Sequence, residues 1–157
     1  MPRDPIVLPI SRDKLIAAMT PCFGKVKYQL GSKPALTAAP GTFTKSDCSG
    51  FFRWLLRWSS VDKSTLAITA PDGSVNQLKW ARDMGFRKCP YADCAKADGI
   101  LRAAFIKARG SRAGHVWLVI SGKTIECYGG VGVGRRDWNA AVLKNNVCAC
   151  FEITGMI

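Results

Sequence analysis

The chain lacks any stretch approaching the ~18 consecutive apolar residues that a bilayer-spanning helix requires, because Lys, Arg, Asp or Gly interrupts every candidate. No membrane insertion is expected. No secretory leader is expected either, since the apolar stretch within Met1 to Ile10 is cut by proline and has no small-residue cleavage pattern behind it. Internal repeats and low-complexity segments are absent. Acidic residues are scarce, at 11 against 23 Lys plus Arg, and the formal charge of +12 creates a field that speeds encounter with acidic polymers: nucleic acid, anionic lipid or the glycopeptide of a bacterial wall. The basic residues are scattered (Arg53/Arg57, Arg82, Arg87-Lys88, Lys107-Arg109-Arg112, Arg135-Arg136). That spread argues against a dedicated nucleic-acid arm, so no nucleic-acid partner is expected.

Zinc-type spacing is missing as well. Cys89-x4-Cys94 and Cys148-x-Cys150 lack the two-residue interval and have no histidine nearby, so neither a metal nor any other cofactor is implied. The seven cysteines, at 22, 48, 89, 94, 127, 148 and 150, are an odd set, which leaves at least one unpaired if the rest form intramolecular disulfides. They read as buried apolar thiols, with one or two disulfides if the compartment is oxidising.

What is present suits one globular domain spanning 1–157. A composition of 48% hydrophobic and 22% charged residues is too apolar for a disordered chain, and this length supports a core of its own. Ser11 followed by Leu15, Ile16 and Met19 at helical spacing predicts a capped helix ended by Pro21. A loop rich in Gly, Pro, Ala and Thr covers 31–44. From Ser46 to about Trp58, Cys48, Phe51, Phe52, Trp54, Leu55, Leu56 and Trp58 share one arc of a helix, opposite Arg53 and Arg57. A further helix is expected over Val75 to Met84, entered through Asp72-Gly73-Ser74 and stopped by Gly85, followed by a loop from Cys89 to Asp98. The last third reads as strands, Ile100 to Lys107, Gly114 to Ile120, Lys123 to Tyr128 and Val147 to Ile153, with 129–134 a Gly-rich turn or loop. Helices followed by an antiparallel sheet predict an α+β domain rather than a doubly wound one.

Two residues stand out chemically. The sole histidine, His115, lies in an otherwise apolar strand, where an imidazole needs a partner. Cys48 opens a helix, where the macrodipole and unpaired N–H groups favour a thiolate. Together they suit a nucleophile and its base. A two-residue hairpin loop at Ser121-Gly122 or Gly122-Lys123 makes facing residues sum to 243 or 245, placing Glu126 on the face of His115. Glu126 can then hold one imidazole nitrogen while the other serves Cys48.

Asp47-Cys-Ser-Gly-Phe51, Gly114-His-Val-x-x-Val-Ile120 and Ile125-Glu resemble the NlpC/P60 cysteine peptidases, papain-like peptidoglycan hydrolases, over roughly Tyr28 to Trp138. The resemblance implies a papain-like fold with N-terminal helices packed on a C-terminal antiparallel sheet. It makes Cys48 the nucleophile, His115 the base and Glu126 the orienting residue, at a position more often filled by histidine or another polar side chain. Tyr28, in a Tyr-x-x-Gly-like stretch with a long gap to Cys48, and Asp47 and Ser49 beside the nucleophile would bind substrate.

The implied reaction is amide hydrolysis in peptidoglycan stem peptides, often between D-glutamyl and diaminopimelyl residues, through a thioester. Arg135 and Arg136 are read as solvated charges, with capture of stem carboxylates as the alternative. Without a leader, such a protein would act on the wall or periplasm after lysis, phage delivery or specialised secretion, and an injected toxin would have an immunity protein as partner. Two alternatives stand beside this reading: another acyl-transfer enzyme on the same scaffold (deamidase, transglutaminase or acyltransferase), or a non-catalytic basic binding module in which Cys48 and His115 only pack.

Overall fold

Ser11 begins the first regular element by accepting a hydrogen bond from the Lys14 backbone N–H, which opens α1 (Arg12–Met19). The computed structural model describes residues 4–62 and 70–157; residues 1–3 of the amino-terminal stretch considered above lie outside them. Helix α1 buries Leu15, Ala18 and Met19. Ile16, expected inward with them, is 43% exposed, because the buried stripe runs through Leu15, Ala18 and Met19.

Two short strands, β1 (Lys27–Tyr28) and β2 (Lys45–Ser46), pair in parallel and bracket the 31–44 loop. The indole N–H groups of Trp54 and Trp58 donate to the carbonyls of Ala38 and Leu36, fixing that loop against α2 (Cys48–Ser59). Helix α2 buries Cys48, Phe51, Phe52, Trp54, Leu55 and Leu56. At about 1.5–3 kcal/mol for each large apolar side chain removed from water, this stripe anchors the helix to the sheet. After α3 (Ser74–Met84) come β3 (Arg87–Lys88), β4 (Ile100–Ile106), β5 (His115–Ile120), β6 (Lys123–Tyr128), β7 (Gly132–Gly134), the short α4 (Ala141–Lys144) and β8 (Ala149–Met156).

The last six strands form an antiparallel sheet in the order β3-β8-β4-β5-β6-β7. Its two faces are covered differently. One, carrying Leu101, Ala103, Phe105, Val116, Leu118, Ile125 and Phe151, packs on the helices; the other carries Ala104, Ile106, Trp117, Val119 and Cys150 and is closed by Cys89, Cys94, Leu143 and partly buried Tyr91 and Trp138. The architecture is thus α+β, with helices packed on a six-stranded antiparallel sheet.

Two expectations need correction. Residues 129–134 are not all loop: Gly132–Gly134 is a strand, with Gly134 opposite Glu126 and Gly132 opposite Tyr128. Small residues are required there because a Cβ on Gly132, at φ +95°, would stand 2.1 Å from the Val26 carbonyl oxygen. Within the expected loop from Cys89 to Asp98, Tyr91–Ala95 instead coils into a 3-10 turn that carries Cys94 inward. Among the described residues no helix is long and apolar enough to cross a membrane.

Candidate active site

Asp47 organises the start of α2. Its carboxylate accepts from the Gly50 N–H at 2.8 Å and the Gly31 N–H at 3.2 Å, and pairs with the Lys33 ammonium at 2.6 Å. An aspartate N-cap satisfies donors that the helix itself leaves unpaired. The 31–33 loop lies so close to the first turn that a Cβ on Gly50 would stand 3.1 Å from the Ser32 carbonyl oxygen and 3.2 Å from the Lys33 Cα. Glycine at that position in Asp-Cys-Ser-Gly thus lets the cap and loop close on each other. The Ser49 hydroxyl bonds to Lys33 and Asp47, and its carbonyl accepts from Gln77 of α3. Asp47 and Ser49 are both buried and turned toward the protein, so in this structure they build the platform under Cys48 rather than face an incoming ligand.

His115, the first residue of β5, has a side chain 16% exposed, whereas that of Glu126 is fully covered. The strands around Ser121-Gly122 pair as Leu118 with Ile125, Val119 with Thr124 and Ile120 with Lys123. Facing residues therefore sum to 243. The two turn residues have φ of +50° and +79°, the left-handed pair that a tight two-residue hairpin needs. This register puts Glu126 on the His115 face, and Nε2 of the imidazole lies 2.8 Å from Glu126 Oε1. A carboxylate only accepts, so Nε2 carries the hydrogen and Nδ1 is the nitrogen left for the Cys48 sulfur, which lies near enough to act on the charge of the imidazole. Trp117 stacks on the imidazole at 5.3 Å between centroids and forms its wall.

Burial by itself works against a charged imidazole, but the hydrogen bonds to Cys48 and Glu126 outweigh it and raise the His115 pKa to about 9. For Glu126 the same contest runs in the carboxylate's favour: burial opposes its charge, yet bonds from His115, Arg136 and Thr124 hold its pKa below the ordinary value.

Arg136, read from the sequence as a solvated charge or a captor of stem carboxylates, instead joins the group around His115. Its Nη2 donates to Glu126 Oε1 at 2.5 Å and its Nε to Oε2 at 3.1 Å, a two-pronged grip. Its guanidinium also lies 3.9 Å over the centre of the Tyr128 ring. Arg136 is therefore not a solvated charge. Its position follows from β7, which the Gly-rich sequence concealed; only the β6–β7 pairing extends the parity argument to residue 136. Arg135 points elsewhere, donating to the Thr124 carbonyl.

Tyr28 is half-buried, and it lies close enough to Cys48, Asp47 and Cys127 for their charges to add to burial in raising the pKa of its phenol. A cavity of about 270 Å³ opens beside His115, lined among others by Ile106, Arg112, Tyr128 and Arg136. The structure thus brings Cys48, His115, Glu126 and Arg136 into one connected group, with Tyr28 at its side. The arrangement can move a proton between sulfur and imidazole.

The class defined so far is an α+β fold in which a helix-opening cysteine meets a strand-borne histidine. No protein-family profile matches the sequence, and no curated protein does. Among solved structures, the chain is similar to an NlpC/P60 family protein from Bacillus cereus ATCC 10987, with TM-score 0.60 and 18% identity over 93% of this chain and 41% of that one. It is also similar to a protein described as similar to lipoprotein, of the NLP/P60 family, from Staphylococcus aureus subsp. aureus Mu50, with TM-score 0.59 and 14% identity over 98% of this chain and 45% of the other. Its structural neighbours are NlpC/P60 proteins, and it spans less than half the length of each. At these identities the likeness is one of fold.

Proposed function

We propose that this protein is a cysteine peptidase that hydrolyses amide bonds in the stem peptides of bacterial peptidoglycan. The observation that carries the reading is the His115 imidazole held at Nε2 by the Glu126 carboxylate at 2.8 Å, with the helix-opening Cys48 close enough to act on the same ring. A nucleophile, a base and a group orienting the base are what acyl transfer through a covalent intermediate requires. The stem-peptide substrate is supported by the fold shared with NlpC/P60 proteins and by the charge of +12, which favours encounter with carboxylate-bearing polymers. Action at the bacterial wall belongs to the same proposal.

In this reading His115 takes up the Cys48 proton at Nδ1. The sulfur attacks the amide carbonyl carbon, and the developing oxyanion forms beside the Cys48 and Ser49 N–H groups at the start of α2, which precede the intrahelical ladder. His115 passes its Nδ1 proton to the leaving amine, for which the neighbouring cavity gives room. A thioester then joins the acyl group to Cys48. Water, losing a proton to Nδ1, attacks that thioester and returns the sulfur as thiolate. Glu126 stays ionised throughout, gripped by Arg136.

Incubation of the protein with purified muropeptides, followed by mass spectrometry of the products, tests this. Cleaved stems with wild type and intact stems with Cys48→Ala are expected. Intact stems in both, from folded protein, would refute the peptidase; a Cys48-dependent acyl adduct on an amine or lipid acceptor would instead identify a transferase on the same machinery.

A further inference from the structure

On the sheet face away from α2, three thiols meet. Cys150 Sγ lies 3.4 Å from Cys89 Sγ and 3.7 Å from Cys94 Sγ, all three buried. They come from the residue just after β3, the following 3-10 turn and β8, and Cys150 is the middle sulfur. Nothing in amide hydrolysis uses them.

The backbone is already set for a bond. Strands β3 and β8 pair Arg87 with Glu152 and Lys88 with Phe151, which puts Cys89 opposite Cys150, and the Cys89 N–H donates to the Cys150 carbonyl at 3.0 Å. Facing residues at a hydrogen-bonded position of an antiparallel pair have Cα atoms about 5.5 Å apart, inside the roughly 4.4–6.8 Å window of a disulfide. A cavity of about 160 Å³ lined by Cys89, Cys150 and the exposed Cys148 leads to the cluster. Metal binding is the competing use of three sulfurs, but among the described residues no group of three or more His, Cys, Asp or Glu side chains is arranged to hold an ion.

We infer that Cys89 and Cys150 form a cross-strand disulfide under oxidising conditions, with Cys94 as the alternative partner for Cys150, so that the cluster is a redox-formed staple across the β3–β8 edge of the sheet. The oxidant is a small-molecule or protein disulfide. The Cys89 thiolate attacks one of its sulfurs and releases the first thiolate. The Cys150 thiol then loses its proton and attacks the Cys89 sulfur of the mixed disulfide, releasing the second. Two protein thiols are oxidised, one exogenous disulfide is reduced to two thiols, and the protein's two protons pass to those products.

The charges suit this order. The hydrogen bond to Cys150, aided by Arg102, holds Cys89 below the ordinary thiol pKa, and contacts with Cys89 and Cys94 raise that of Cys150. The mechanical consequence is local. Strand β3 is two residues long and sits at the sheet edge, and a bond closing a loop between positions 61 apart restricts the unfolded chain as well as tying that edge down.

The test needs no activity, so its outcome is separate from that of the proposed function. The full chain is refolded in a buffer of reduced and oxidised glutathione, alkylated without reduction, digested and mapped by mass spectrometry. The expected result is a Cys89–Cys150 cross-linked peptide, loss of two hydrogen atoms, and a Tm raised by roughly 5–15 °C that falls back with dithiothreitol. Cys89→Ser is expected to move the cross-link to Cys94–Cys150, and Cys150→Ser to abolish both; if the latter does not fold, the relocation in Cys89→Ser still decides the matter. Recovery of natively folded protein with Cys89 and Cys150 both alkylated, or a glutathione adduct on Cys148 alone, would overturn the proposal. So would a divalent metal co-eluting at one ion per chain and lost with Cys150→Ser.

Discussion

Glu126 has two charged partners, and the consequences of changing any of the three differ. Glu126→Gln keeps the shape but removes the anion, leaving the Arg136 guanidinium half-buried without its counter-charge and letting the imidazole adopt the wrong tautomer. Turnover on a muropeptide is expected to fall by about 10³–10⁴-fold, as for the equivalent change in other triads. Arg136→Lys keeps the charge but cannot make both hydrogen bonds. Since it acts on Glu126 and not on substrate, a fall of about 10–100-fold in kcat with little change in KM is expected, with a shifted alkaline limb in the pH profile as the sign that positioning, not packing, was lost. Tyr28→Phe reads the phenol separately: a raised KM at unchanged kcat would place Tyr28 in substrate binding.

At the scale of elements, α2 and β7 carry the site. Asp47 serves the Gly50 and Gly31 N–H groups and Lys33 at once, so Asp47→Ala is expected to cost about 1–2 kcal/mol from the cap alone, measurable by urea denaturation. A loss within a few tenths of a kcal/mol would mean that the cap contributes nothing. Strand β7 passes Val26 so closely that Gly132→Ala must displace it. That displacement carries Arg136 away from Glu126, so stability and turnover are expected to fall together, whereas a stable, fully active Gly132→Ala would disprove the coupling. The capped helix and the hairpin were legible because each rests on local signals: a cap residue, a 3.6-residue apolar stripe, a two-residue turn with fixed parity. Strand β7 was not, since its glycines are dictated by the approach of Val26, a residue far away in the chain.

Across the whole molecule, charge and pH are the readable variables. The raised pKa of His115 means that the folded state holds its proton more tightly than the unfolded chain does. Its contribution to stability is therefore complete below the unfolded value of about 6.5 and disappears as pH climbs through about 9. Denaturation followed across that interval is expected to show wild type losing stability relative to His115→Ala; parallel curves would contradict the stated electrostatics. Hydrolysis is expected to decline above the same upper value, where the leaving amine loses its proton donor. A formal charge of +12 further implies that activity on intact, anionic sacculi drops as salt rises, while activity on short neutral muropeptides does not.

Local chemistry along the chain determined the α+β order, the helix that opens on Cys48, the strand that holds His115 and the parity that pairs it with Glu126, because caps, periodicity and tight turns act over a few residues. Contacts between distant segments decided the rest. Asp47 and Ser49 turned inward because the 31–33 loop folds over the helix start, Arg136 reached Glu126 because β7 added itself to the sheet, and Cys89, Cys94 and Cys150 met because β3 runs against β8. None of these follows from spacing along the sequence, since each depends on which strand lies beside which.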